Sequence, residues 1–168
     1  MSQHPNLVPI EGIAARLGVP AEHTHALNYE AQTLTAGNRL FISTAVAEAC
    51  IETIPGMGIA ALTEPYNGLE PYTVNAVRRK VGFLRESSVD GDLLRVKGYV
   101  YGWDFPDLMK EIAAGTLGMC LAVTYPTDSE VRDGVVHLRQ FVCTGIGLLR
   151  REHCGFPCTE VSFGKFSG

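Results

Sequence analysis

The stretch that decides the fold is residues 80–101, which read KVGFLRESSVDGDLLRVKGYVY. Two apolar and β-branched runs, residues 80–87 and 93–101, flank the sequence Val89-Asp90-Gly91-Asp92. An Asp-Gly pair between two strand-like runs is a strong signal for a β-hairpin, because both residues tolerate the positive φ of a tight turn. The stretch therefore predicts two antiparallel strands joined by a short turn.

A helix is predicted directly after the hairpin, over residues 104–115. Asp104 is expected to cap its N-terminus, Pro106 suits the first turn, and Gly115 suits the C-terminal stop. The apolar residues between these signals recur at helical spacing and form one stripe, made of Phe105, Leu108, Met109 and Ile112. We expect this stripe to pack against the sheet.

Further strands are predicted on both sides of this unit, over residues 39–45, 58–62, 117–124, 135–143 and 145–149, with a turn at Asp133-Gly134. The 18 glycines and nine prolines favour many short elements over a few long helices. Residues 80–84, 93–101, 117–124 and 135–149 are expected to pair in one curved sheet. The predicted fold class is α+β: a mainly antiparallel β-barrel-like domain with one well-defined helix, spanning residues 39–168.

The first 38 residues are expected to form an N-terminal arm with a short helix. Residues 11–17 place Ile13 and Leu17 on one helical face, and Gly18 and Pro20 then end the helix. The remainder of the arm is polar and weakly periodic. Such a segment lacks a core of its own, so we expect neighbouring subunits to order it.

Charge and apolar content exclude several classes of protein. With 14 basic and 18 acidic residues the formal charge is −4, so the chain lacks the basic face that nucleic acid requires. The longest uncharged stretch, residues 113–127, is shorter than the ~20 apolar residues that cross a bilayer. The N-terminus lacks a signal-peptide pattern. Five cysteines, an odd number, indicate reduced thiols in a reducing compartment.

The order of short motifs after residue 80 resembles the prohead protease family of tailed phages, the assemblin-like β-barrel serine proteases that mature capsids. The motifs are KVGFL and DLLRVKGYVYG around the hairpin, DFPDLMKEI in the helix, then LGMCLAV and FVCTGIGLLRREHCGFPCT. The resemblance covers residues 80–159. It implies that Gly118-Met119-Cys120 takes the place of the G-M-S strand that carries the nucleophilic serine, and that the loop before residue 80 corresponds to the loop that carries the catalytic histidine in the family.

Two departures from this family indicate a degenerate active site. Cys120 stands where the serine is expected, and no histidine lies between His25 and His137. A nucleophile without a base within hydrogen-bond reach loses most of its catalytic advantage. We therefore expect no catalytic residue and interpret Cys120 as a small buried apolar side chain. The alternative is an active prohead maturation protease with Cys120 as nucleophile and His137, from a remote strand, as base.

The remaining cysteines offer only a weak metal site. The candidate ligands are Cys143, His153, Cys154 and Cys158. Structural zinc sites usually contain two tight pairs of ligands, and this set contains one, so neither a metal nor another cofactor is expected. A Cys154–Cys158 bridge, or a bridge from either to a neighbouring subunit, is a further alternative.

These features together predict a protein that binds rather than cleaves. The expected function is that of a non-catalytic virion structural protein, a capsid decoration or cement subunit, made in the host cytoplasm. The expected partners are the major capsid protein or other virion subunits, with a homo-oligomer on the shell and neither nucleic acid nor membrane. Tyr99, Tyr101 and Trp103 alternate along one predicted strand and are the expected interface residues.

Overall fold

The computed structural model describes residues 4–22, 39–64, 77–124 and 129–165. Within these residues strands predominate over helices. In chain order the elements are β1 (Leu7–Arg16), β2 (Arg39–Phe41), α1 (Thr44–Cys50), β3 (Gly58–Glu64), β4 (Val77–Asp90), β5 (Leu93–Tyr101), α2 (Pro106–Ala114), β6 (Leu117–Thr124), β7 (Glu130–Arg132), β8 (Val135–His137), β9 (Val142–Arg150) and β10 (Glu160–Phe163). Single 3-10 turns, Ile51–Thr53 and Arg151–His153, follow α1 and β9.

Seven strands form one sheet in the order β10-β1-β5-β4-β3-β9-β6, and its neighbouring strands are antiparallel except for β3 and β9. The sheet curls until β6 approaches β1: a Cβ at Gly12 of β1 would stand 2.8 Å from Met119 Cε of β6. Only glycine fits such a close approach without displacing the methionine. The predicted α+β fold with a mainly antiparallel, barrel-like sheet is confirmed.

The other three strands form a second sheet in the order β2-β8-β7, in which β2 and β8 are parallel. The prediction that residues 135–149 lie together in the curved sheet is wrong, because β8 belongs to the second sheet and β9 to the first. Arg139 and Gln140, both exposed, interrupt the apolar run between these strands. Both sheets enclose one core, since Leu40 and Val136 belong to the same buried cluster as side chains of β3 and β5.

Strands β4 and β5 form the predicted hairpin. Asp90 pairs with Leu93, so the turn consists of Gly91 and Asp92, and Gly91 has a φ of 61°. That positive φ is why glycine stands in the turn. Further along the hairpin the register shifts by one residue at Arg85, which forms a bulge on β4.

Helix α2 follows the hairpin as predicted, but its start differs. Its N-cap is Phe105, which makes no side-chain capping hydrogen bond, so the expected cap at Asp104 is wrong. The Asp104 carboxylate instead accepts a hydrogen bond from Asn6 Nδ2 at 2.9 Å, across 98 positions of sequence. Gly115 ends the helix in the left-handed conformation as predicted, with a φ of 72°. Ile112 of the apolar stripe is buried, and the other three members pack against the core.

Strand β1 lies within the segment that was expected to be an arm. The short helix predicted over residues 11–17 is wrong, because β1 pairs with β5 on one side and with β10 on the other. Ile10 and Ala14 are fully buried. Pairing along both edges together with this burial outweighs a weak helical periodicity. Strand β1 is thus part of the main core, whereas residues 23–38 of the expected arm lie outside the described residues.

The strand predicted over residues 39–45 is only three residues long, because α1 begins in its second half. Ser43 determines this change: its Oγ accepts a hydrogen bond from the Val46 backbone N–H at 3.2 Å and caps the helix. The β-branched and aromatic residues that favour a strand therefore form one only before the serine. The strands predicted over residues 58–62 and 117–124 are confirmed as β3 and β6.

Candidate functional site

Cys120 lies in the middle of β6, at the position that the resemblance assigns to a nucleophile. Adjacent residues of a strand point to opposite faces. Met119 points into the curl of the sheet, towards Gly12, so Cys120 points away from it. There Cys120 is 1% exposed and packs in a small cluster with Leu149 and Cys154, separate from the main core. The side chain is thus almost removed from solvent.

Residues 154–159, here called the cover segment, lie over this side of β6. Gly118, two residues before Cys120 on the same face, makes room for them: a Cβ there would stand 2.5 Å from Thr159 Oγ1 and 2.8 Å from Cys154 Sγ. Both Cys154 and Thr159 are fully buried. A substrate could therefore reach Cys120 from this side only if the cover segment moved away.

The polar atoms under the cover segment do not form an activated nucleophile. Burial raises the pKa of the Cys154 thiol, and the nearby Thr159 hydroxyl and the Arg151 charge offset only part of this rise. The thiol contacts the carbonyl oxygen of Arg150 as a weak donor. Thr159 Oγ1 is buried beside this thiol, but no hydrogen bond of normal geometry reaches it from the described residues. Because a protonated thiol is a poor nucleophile, Cys154 is not suited to the nucleophile role that the alternative interpretation assigns to Cys120.

His137, the candidate base, lies on β8 of the second sheet, whereas Cys120 lies on β6 of the first. The imidazole packs against the Phe41 ring, with a centroid distance of 4.7 Å. Across the strands His137 is paired with Glu130. Cys120 packs with the leucine and cysteine named above and His137 with Phe41, so the two candidate residues lie in different sheets and pack against different side chains.

The candidate metal ligands are dispersed. Cys143 lies in the main core, where its backbone N–H donates to Thr53 Oγ1 at 3.0 Å and burial raises the pKa of its thiol to about 11. Cys154 lies under the cover segment, Cys158 is half-buried, and the side chain of His153 lies outside the described residues. In the described part of the chain no three His, Cys, Asp or Glu side chains are placed to hold a metal ion, and the five cysteines form no disulfide.

The expected interface residues occupy two different environments. Tyr99 and Tyr101 lie on β5 beside Phe83 of β4, with centroid distances of 5.6 and 6.4 Å. Tyr99 is buried and its hydroxyl accepts a hydrogen bond from Arg85 Nη1 at 3.0 Å. Trp103, beyond the end of β5, is 66% exposed. Sequence reasoning missed Phe83 and Arg85, because only the cross-strand register places them beside the tyrosines.

A polar groove of about 190 Å³ crosses β10, β1, β5 and β4. Charged and hydroxyl side chains line it, among them Glu11, Glu86, Arg95, Lys97, Glu160 and Ser162. Lys97 lies opposite Glu11 in the strand register, and its Nζ is 3.9 Å from Glu86 Oε2. Opposite charges thus stand next to each other, which makes the groove a solvated sheet surface rather than a site of one dominant charge.

Among the described residues no helix has the length and apolar character needed to cross a membrane. Comparison of the chain with protein-family models, with curated proteins and with solved structures finds no match.

Proposed function

We propose that this protein is a non-catalytic virion structural protein, a capsid decoration or cement subunit that reuses a prohead-protease-like domain. The observation that carries the proposal is the burial of Cys120 beneath the cover segment. This arrangement closes off the nucleophile position while the curled sheet stays complete. Because activity resides in sites and not in folds, such a domain serves as a rigid scaffold.

The surroundings of the candidate residues support a role in binding. Peptide hydrolysis needs an accessible nucleophile and a base within hydrogen-bond reach. Cys120 is buried, His137 packs against Phe41 in the other sheet, and residues 64–79 contain no histidine. The burial of Cys120 argues against an accessible nucleophile, and the other two features argue against a base within reach.

The proposed partners are the major capsid protein or other virion subunits, with copies of this chain assembled as a homo-oligomer on the shell. The protein is made in the host cytoplasm, where its thiols stay reduced, and it resides in the virion. The exposure of Trp103 supports a binding role, since tryptophan is enriched at the centres of protein interfaces.

Co-expression with the cognate major capsid protein tests the proposal. Wild type, Cys120→Ala and His137→Ala are compared by the intact mass of the shell protein and by the amount of this protein on purified particles. We expect unchanged shell masses in all three cases and stoichiometric amounts on the particles. A site-specific truncation that vanishes in Cys120→Ala would overturn the proposal in favour of the active maturation protease. Absence of the protein from purified particles would overturn the decoration role.

A further inference from the structure

The turn between β5 and α2 carries Trp103, the most exposed large apolar side chain of the described residues at 66%. It is also the one tryptophan in the sequence. Its ring meets the His4 ring edge-on, with a centroid distance of 5.7 Å and an interplanar angle of 62°. Most of the indole therefore stays in contact with water, as expected of an interface anchor before its partner binds.

Asn6 fixes the backbone that holds this indole. The backbone N–H of Trp103 donates to Asn6 Oδ1 at 2.7 Å, and Asn6 Nδ2 donates to Asp104 Oδ2 at 2.9 Å. The Gly102 N–H donates to the Asn6 carbonyl oxygen at 2.9 Å. One asparagine thus contacts three successive residues of the turn. A turn ordered in this way loses little entropy when a partner binds, which favours affinity.

The charges nearest to the indole in the sequence are acidic. Asp104 follows Trp103 directly, and Asp107 stands in the first turn of α2; both are exposed. Lys110 Nζ lies 3.5 Å from Asp107 Oδ1, but both side chains are more than 80% exposed, so this ion pair is weak. Asn6 hydrogen-bonds both the Trp103 backbone and the Asp104 carboxylate, so an exposed indole and acidic oxygens belong to the same turn. Such a combination suits a cation, which is attracted both by an aromatic ring and by carboxylates.

We propose that the Trp103 turn, defined by Asn6, Trp103, Asp104 and Asp107, is a docking site for an arginine or lysine side chain of a partner protein. The inference rests on the proposed function, because it supplies the contact through which a binding subunit would attach to its shell. Arginine fits the site better than lysine, since its planar guanidinium stacks on an indole and donates to a carboxylate at the same time.

The single tryptophan allows a direct test with a hexa-arginine peptide as probe. In ¹⁵N-labelled protein the one indole N–H resonance is expected to shift saturably on titration in about 20 mM salt, and the shift is expected to disappear in about 0.5 M salt. Hexaglutamate is expected to leave the resonance in place. An indole that stays unmoved while hexa-arginine binds elsewhere, or that responds to hexaglutamate instead, would overturn the site.

Charge-matched variants separate the turn from the net charge of the chain. Asp104→Asn keeps an acceptor for Asn6 Nδ2 and Asp107→Asn keeps the shape of the helix, and each is expected to weaken binding of fluorescein-labelled hexa-arginine about threefold. Glu48→Gln, an exposed position on α1, makes the same change in net charge and is expected to leave binding unchanged. Equal weakening by all three variants would overturn the site.

Two further measurements separate this inference from the proposed function. An indole shift that grows with protein concentration in the absence of peptide would assign the turn to a second copy of the chain and overturn the docking of a basic partner. Undiminished co-sedimentation of Trp103→Ala with purified shells would overturn the site and leave the decoration role standing. Specific hexa-arginine binding at the turn, together with no attachment to any shell, would support the site and overturn the proposed function alone.

Discussion

Cys120, under the cover segment, is buried, whereas Trp103, in the turn after β5, is exposed, although both lie next to the same curled sheet. On β6, Gly118 leaves space that the cover segment fills, and Cys120 is buried as a result. After β5, hydrogen bonds from Asn6 hold a turn in which Trp103 stays exposed. Packing thus closes the position that corresponds to the nucleophile in the resembling family, whereas hydrogen bonding orders a turn that leaves an aromatic ring open to a partner.

The largest expected effect comes from Gly118→Val, which disrupts the contact between β6 and the cover segment. A side chain at this position would collide with Cys154 Sγ and Thr159 Oγ1. Because overpacking a closed contact forces backbone shifts, we expect the free energy of unfolding to fall by about 3 kcal/mol in urea titrations. Thr144→Val, at an exposed position on β9, is the control and should unfold like wild type. Wild-type stability of Gly118→Val would show that the cover segment does not seal β6.

Alkaline pH should weaken the core through its buried thiols. Burial raises the pKa of the Cys143 thiol from 9.0 to about 11, so the folded state keeps a proton that the unfolded state releases. The contribution to stability is complete below pH 9, and about 2–3 kcal/mol is lost as the pH rises towards 11. Urea titrations at several pH values check this, and in Cys143→Ala the free energy of unfolding should fall less between pH 9 and pH 11. A loss that stays the same in Cys143→Ala would contradict the assignment.

Asn6→Ala should loosen the Trp103 turn and lower the stability of the protein by a smaller amount. The substitution removes the acceptor of the Trp103 backbone N–H and the donor to Asp104. The hydrogen bond from the Gly102 N–H to the carbonyl oxygen of residue 6 remains. We expect a loss of about 1–2 kcal/mol in the free energy of unfolding and faster motion of the indole N–H in ¹⁵N relaxation. Gln140→Ala, an exposed position, serves as control. Unchanged indole dynamics in Asn6→Ala would show that the turn is held by other contacts.

The smallest expected effect is that of Thr159→Val under the cover segment. The Thr159 hydroxyl is buried without a hydrogen-bond partner in the described part of the chain, so an isosteric methyl should change the free energy of unfolding by no more than about 1 kcal/mol, in the stabilising direction. Thr159→Ala removes volume at the same site and should destabilise the protein. A marked loss of stability in Thr159→Val would reveal a partner for the hydroxyl.

Local signals predicted the parts of the fold that depend on local physics. The Asp90-Gly91 pair marked the hairpin, and the spacing of Phe105, Leu108 and Ile112 marked α2. Strand β1 could not be predicted in this way, because Pro9, Gly12 and the two alanines are poor strand formers and only the two neighbouring strands make the segment extended.

The environments of Cys120 and of Trp103 were predictable from the sequence to different degrees. The burial of Cys120 follows from its residue type and its apolar neighbours, but its cover depends on residues more than 30 positions later in the sequence. The sequence treated Trp103 like Tyr99 and Tyr101, but Tyr99 is buried and Trp103 is exposed, since the strand ends at Tyr101. The role of Asn6 carries no local signal at all, because its partners lie about 98 positions away.

The rate at which iodoacetamide alkylates Cys120 at neutral pH tests the central claim most directly. Peptide mapping follows Cys120 alongside half-buried Cys158, which serves as an internal control in the same molecule. Because a buried thiol reacts only when the structure opens, we expect Cys120 to react at least about a hundredfold more slowly than Cys158. Alkylation of Cys120 faster than Cys158, in a protein that remains folded, would reveal an accessible and activated thiol and would contradict a closed, non-catalytic site.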